Sequence, residues 1–335
     1  MDTRPHSLTV PSDDDSPTFI RSELYEERET AGAGIAVFAT AFIPAGTRIF
    51  CEEELIQVSD EFEQPEIYDT VTSLSEEKQA AYFGLAASSK SMKDVGWIND
   101  LRKSCEGEAE SFNALVEAHE MAWSIYETNR FTLRLSSGEF KIGIYHKASR
   151  LNHSCAPNVF HRYNSRINRM TIHALRDIQP GDELNTSYID ICHPTAVRRQ
   201  MLKGWGFHCG CSACESSDEM RDLRRKKIED VMNKLKKREE QWESNHEQWT
   251  DKDYAKSVSM IERGMRLMES EGMEETDTLG YLLALAIRYG ARNGRKEELM
   301  QWTERLVVIE RKCLGEDSNE YDAAVELHRI AKEDL

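Results

Sequence analysis

The stretch that most constrains this chain is Leu151 to Asn158, reading LNHSCAPN, because its meaning depends on two later segments. One is GDELNTSYID, Gly181 to Asp190; the other is FHCGCSAC, Phe207 to Cys214. Together they bring an Asn-His pair, a Tyr on an apolar strand pattern and a Cys-x-Cys-x-x-Cys run into one stretch of chain. Three cysteines within six residues, in a chain without the apolar centre of a secretory signal, point to a metal rather than to a disulfide framework. Such a run can place three thiolates about 2.3 Å from one Zn²⁺, and a tetrahedral structural site requires a fourth donor. Cys51, Cys105, Cys192 and Cys313 lack partners at ligand spacing and read as core thiols.

Composition narrows the class. The 335 residues are 39% hydrophobic, with no apolar run near the roughly 18 residues of a membrane span, so one large or two ordinary domains are expected. A net charge of −17 opposes non-specific attraction to nucleic-acid phosphates. The exception is Arg221 to Arg238, where Arg224, Arg225, Lys226, Lys227, Lys236 and Lys237 gather on a helical pattern that reads as a solvated face. Residues 1–18, with Asp13, Asp14 and Asp15 among prolines, read as a disordered leader.

Short strands and turns occupy the chain from Phe19 to Leu55. Ile35, Val37 and Phe38 precede a break at Ile43-Pro44-Ala45-Gly46 and a second apolar run, Thr47 to Phe50, which reads as a hairpin. From 58 to 129 the period becomes helical, with Ser73-Leu74-Ser75-Glu76 as a capping box and Phe112, Leu115, Val116, His119, Trp123 and Tyr126 on one stripe. His119 has no second metal-type residue one turn away and reads as a helix residue, not a ligand. Strands resume at Phe131 to Leu135 and Phe140 to Tyr145 around a Ser-Ser-Gly-Glu turn; His161 to Ala174 alternates like a strand. Beyond 216 the chain is helical. The stripes of 254–270 and 296–312 are offset by 42 residues, compatible with tetratricopeptide-like helix pairs or a simple bundle.

The segments LNHSC, GDELNTSYID and FHCGCSAC, with GAGIAVFAT at 32–40, resemble the SET-domain protein-lysine methyltransferases, closest to the SET-and-MYND type. The resemblance covers roughly 19 to 215; the MYND zinc module is absent, since the insert holds only Cys105. It implies that Gly32, Ala33 and Gly34 let the backbone approach S-adenosylmethionine, although Ala36 stands where many members have a third glycine. It implies further that Asn152 and His153, with Ser149, hold this cofactor, that Phe207 covers its adenine, and that Tyr188 aligns the lysine amine with the methyl group. Phe131, Tyr145 and Trp205 would wall the substrate channel. Cys155 would complete a structural Zn²⁺ site with Cys209, Cys211 and Cys214, and the strands around the Asn-His segment would form a pseudoknot.

These readings give an α+β protein: a SET domain of small β-sheets at 19–190 with a helical insert at 58–129, a zinc-binding post-SET hook at 191–215, and a C-terminal helical domain at 216–335. The implied function is S-adenosylmethionine-dependent methyl transfer to a lysine of a protein substrate, histones included among the candidates. A catalytically silent SET scaffold that recruits partners through its helical domain is the alternative, favoured had Tyr188 or the Asn-His pair been lost. A zinc-dependent nucleic-acid module would need a basic face around the hook, and HCGCSACESSDE is acidic. Nucleus and cytoplasm both stay open, Arg224 to Lys227 being a weak import signal.

Overall fold

The computed structural model describes residues 21–30, 34–59, 66–88, 96–104, 109–216, 218 and 220–333. The expected leader, Gly32, Ala33 and Cys105 lie outside them. Strands β1 (Tyr25–Thr30) and β2 (Gly34–Ala39) form an antiparallel ribbon. The hairpin read across residues 43–46 does not form: β3 (Arg48–Glu52) pairs instead with β9 (Arg169–Ala174) in a sheet of order β3-β9-β8, where β8 is Val159–Asn164. The turn itself forms, with the Thr47 N–H donating to the Pro44 carbonyl at 3.2 Å and Gly46 at φ 82°, but Ile43 exchanges two backbone hydrogen bonds with Ile178, at 3.0 and 2.9 Å, so the turn leads from one sheet to another. The single strand read over 161–174 is likewise two. Asn168 takes a left-handed φ of 54°, and the Asn164 side chain accepts the Arg166 N–H at 3.0 Å, which closes a tight turn.

A second three-stranded sheet orders β4 (Ile56–Ser59), β6 (Phe140–Ile144) and β5 (Phe131–Arg134). Between β4 and β5 run α1 (Glu66–Thr72), α2 (Glu76–Phe83), α3 (Gly96–Ser104) and α4 (Ala109–Asn129). Their apolar faces bury Ile67, Val71, Tyr82 and Ile125 against Ile142 and Ile144. The cap of α2 is Ser75, which accepts the Lys78 N–H, whereas Ser73 finishes α1 by donating its N–H to Asp69. His119 lies between the Tyr68 and Trp97 rings, at 4.4 and 5.1 Å, as an aromatic core member.

Past α5 (Thr195–Leu202) the chain is α6 (Met220–Asn245), α7 (Asp251–Ser270), a π-helical turn (Thr276–Gly280), α8 (Tyr281–Arg292), α9 (Lys296–Leu314) and α10 (Asn319–Glu333), each helix packed on the next. Val258, Ile261, Met265 and Met268 of α7 are buried, as are Leu282, Leu283 and Ala286 of α8. The basic run on α6 is not simply solvated. Lys226 is exposed beside Glu229, but the Arg225 side chain is 1% exposed and donates to the fully buried Glu271 carboxylate at 3.0 Å, with Arg224 on its other oxygen. Arg225 also donates to the Ile191 carbonyl, pinning the chain past Tyr188 to α6. Removing one partner of such a buried pair costs about 3–5 kcal/mol, because the other charge is stranded.

Gly290 does not end α8; it lies inside the helix under Trp302, and a Cβ there would come within 2.4 Å of the indole. Gly290→Ala gains up to about 1 kcal/mol of helix propensity but overpacks a buried ring at about 1–3 kcal/mol. Urea denaturation should show net destabilisation, partly recovered when Trp302→Phe is added. An unchanged midpoint would mean that the contact is slack.

Glu52, at the end of β3, is buried and accepts the N–H groups of Lys147 and Ala148 at 3.0 and 2.5 Å. It thereby fixes the 3-10 turn Ala148–Arg150 that leads into the Asn-His segment. Burial pushes this carboxyl up to about 7, against the pull of its two backbone donors. A folded value above the ordinary carboxyl value means that the folded state holds the proton more tightly. The stability this contributes at low pH is therefore lost as pH rises through 7. Glu52→Gln removes that titration: from pH 5 to pH 8 the variant should gain about 2 kcal/mol relative to wild type in urea unfolding. A pH-independent difference would show that the carboxyl is ionised throughout.

Candidate active site

Two strands of two residues each build the centre. β7 (Asn152–His153) runs parallel to β10 (Asn185–Thr186), and flanking bonds reinforce this short ladder: Ser154 N–H to the Thr186 carbonyl at 2.8 Å and Asn158 N–H to the Asn185 carbonyl at 3.0 Å. The Asn152 amide donates to Glu183 at 2.8 Å. Leu184 N–H donates to Val37 at 2.8 Å, joining β2 and its first residue Gly34 (φ 69°) to the same construction.

The sequence pattern puts Tyr188 on a strand; the structure places it in the bend just after β10, where Ser187 donates to the Ile189 carbonyl. Its hydroxyl donates to the Leu151 carbonyl at 2.7 Å. Its backbone N–H donates to Nδ1 of His153 at 3.0 Å. With Nδ1 accepting, the neutral ring carries its proton on Nε2, which lies 3.2 Å from the Cys155 sulfur. Burial lowers His153 to about 4, with Cys211 opposing and Arg198 adding to the effect. Burial, with Glu183 nearby, raises the Tyr188 phenol, so it stays a donor.

Aromatic rings surround this pair. Tyr188 lies 5.3 Å from His153, 5.6 Å from Trp205 and 6.4 Å from Phe207, and Trp205 is anchored by an indole N–H bond to the Thr128 carbonyl at 3.0 Å. Phe131 and Tyr145 form a second group, edge-to-face at 5.7 Å. They connect to β10 through His161, which packs on Phe131 at 5.1 Å and meets the Thr186 hydroxyl at 2.6 Å. A cavity of about 370 Å³ opens beside Tyr188, lined also by His161, Thr186, Glu275 and Asp277. A larger hollow of about 610 Å³ between α6 and α7 includes none of these residues.

The four predicted metal-ligand sulfurs, Cys155, Cys209, Cys211 and Cys214, lie within 4.8 Å of one another, with Cys155 and Cys214 at 3.6 Å. A tetrahedron with arms of about 2.3 Å has edges of about 3.8 Å, so this donor set fits one Zn²⁺. Hydrogen bonds from Cys155 and Cys214 hold Cys211 well below an ordinary thiol. The fully buried Arg198 guanidinium stands 3.6 Å from Cys214. The Ser149 and Tyr145 hydroxyls and the Asn185 side-chain amide nitrogen are buried with no hydrogen-bond partner among the described residues, as are the Tyr25 hydroxyl and the Trp242 indole N–H away from these segments.

Sequence reasoning did not single out Glu52, His161 or Arg198. Each acts on a residue distant in the chain, and no local spacing marks it. Glu183 was in view within GDEL but without a role.

The SET domain family model matches residues 34–189. "Histone-lysine N-methyltransferase set5" of Schizosaccharomyces pombe is 30% identical over 213 residues, 62% of this chain and 56% of that protein. "N-lysine methyltransferase SMYD2-B" of Danio rerio is 39% identical over 93 residues, 27% of this chain and 21% of that protein. This chain thus spans little more than half of the first relative's length. A solved structure titled "Crystal structure of the SET domain of LSMT bound to Lysine and AdoHcy" gives a TM-score of 0.37 at 11% identity, covering 94% of this chain and 88% of that one, too slight a likeness to carry argument. With the match running from β2 through Tyr188, residues 34–189 are a SET domain.

Proposed function

We propose that this protein is an S-adenosylmethionine-dependent protein-lysine N-methyltransferase. The observation that carries the reading is Tyr188, bonded through its hydroxyl to Leu151 and through its N–H to His153, inside one aromatic cluster with Trp205 and Phe207. Support comes also from two relatives whose names are those of lysine methyltransferases. The cofactor, when bound, supplies an electrophilic methyl group that needs only in-line attack by an uncharged amine, so positioning dominates.

The residues divide that task. Asn152 and His153, fixed by Glu183 and by the Tyr188 backbone, hold the cofactor on one side, with Gly34 and Ser149 adjoining and Phe207 covering it. Phe207 is 38% exposed, which suits a group that becomes covered only when a ligand lies beneath it. Trp205, Phe131 and Tyr145 wall the lysine channel, where an apolar aromatic surface disfavours the ammonium form and favours the nucleophilic amine. The buried Tyr188 hydroxyl stays protonated and oriented, able to align amine and methyl. Cys155, Cys209, Cys211 and Cys214 would hold a Zn²⁺, which would fix the segment that carries Trp205 and Phe207. The substrate is a protein lysine, histones among the candidates, and the tetratricopeptide-like succession α6 to α10 offers a partner surface.

Labelled cofactor incubated with a lysine-peptide array should transfer label in wild type. Tyr188→Phe should lower kcat by about a hundredfold or more with cofactor affinity within a few fold, because an aligning group acts on the transition state more than on the ground state. Wild-type turnover in the variant removes Tyr188 from the site. A wild-type protein that binds cofactor yet labels no lysine in the array or in a cell lysate overturns the reading.

A further inference from the structure

Thr186 closes β10 two residues before Tyr188, and its hydroxyl is held from another sheet, by Nδ1 of His161 on β8 at 2.6 Å. β10 has only two residues and one partner strand, a ladder too short to be stable by itself. A side-chain tie at its end therefore matters more than it would in a long strand. The same imidazole packs edge-on against Phe131 at 5.1 Å and lines the cavity of about 370 Å³ that Tyr188 also lines. Burial, with the Arg162 charge, lowers His161 to about 4, so the ring is neutral at physiological pH. A neutral imidazole offers Nδ1 as donor or acceptor according to tautomer, and a Thr hydroxyl matches either.

The geometry points to His161 as a positioning residue of the transfer site: by gripping Thr186 it fixes β10 and the bend that carries Tyr188, while its ring, braced by Phe131, forms part of the cavity wall. The inference rests on the methyltransferase reading for its kinetic arm only. Replacement by Phe keeps the ring packing and removes the bond, replacement by Asn restores a group able to reach Thr186, and Thr186→Val cuts the bond from the other side.

Hydrogen exchange, calorimetry with S-adenosylhomocysteine and, on a labelled peptide, steady-state kinetics test it. His161→Phe should speed amide exchange across residues 185–188 about tenfold, the worth of one buried hydrogen bond, and lower kcat by a similar factor. Cofactor affinity should stay near wild type, the urea midpoint should fall by no more than the same single bond is worth, and His161→Asn should recover most of the losses in exchange and turnover. Adding Thr186→Val to His161→Phe should bring no further loss, since the two act through one bond. Unchanged exchange in His161→Phe, failure of Asn to rescue, or affinity, midpoint and turnover falling in parallel would each overturn the proposal. A wild type without turnover would sink the methyltransferase reading alone, and the exchange pattern would still decide the role of His161.

Discussion

One imidazole joins the two halves of this site. His153 accepts the Tyr188 N–H with Nδ1 at 3.0 Å and presents Nε2 to the Cys155 sulfur at 3.2 Å, so the bend that carries the phenol and the cluster of four sulfurs share a ring. Neither contact is available to a displaced His153, because both nitrogens are committed and the ring is buried. The parallel pair β7 and β10 is only two residues long and could not by itself fix Tyr188. The cysteine cluster, the Asn-His segment and the Tyr188 bend are therefore best understood as one unit, in which disorder at the sulfurs reaches the phenol through His153.

That unit is held from outside by charge. Arg225 on α6 reaches both the buried Glu271 and the carbonyl of Ile191, three residues past Tyr188. On the opposite side, Arg48 of β3 donates to Asp317 at 3.0 Å and Arg162 of β8 pairs with Asp277, so the helical region is tied to the sheet that carries His161. Exposed ion pairs contribute little each, but the Arg225 to Glu271 pair is desolvated on both sides and is costly to break. The consequence for function is a fixed wall: Glu275, Asp277 and Thr278 face the cavity from the helical region while Tyr188 faces it from the SET domain.

Much of the site was legible because its chemistry sits in short words. The Asn-His pair, the cysteine at 155 and the Cys-x-Cys-x-x-Cys run carry side chains whose spacing already limits what they can do, and the structure gathers all four sulfurs. The remainder depends on pairings across long stretches of chain. Glu52 acts on Ala148, 96 residues away, and His161 on Thr186, 25 residues away, and neither leaves a local pattern. The same limit explains the false hairpin: Pro44 and Gly46 carry turn chemistry, and nothing nearby reveals that Ile43 bonds Ile178. Arg225 looked like one more solvated cation because the Glu271 that buries it lies on the end of the next helix.

The most direct test of this account is the link between metal and cofactor. Zinc should be measured in the purified protein and then withdrawn stepwise by a chelator, with S-adenosylhomocysteine affinity followed by calorimetry and secondary structure by circular dichroism. Affinity should disappear in proportion to zinc lost while most helical signal remains, because the SET core and the helical region keep their own buried interiors. A zinc-free protein that binds the cofactor product at full affinity would show that the sulfur cluster and the Tyr188 bend are independent.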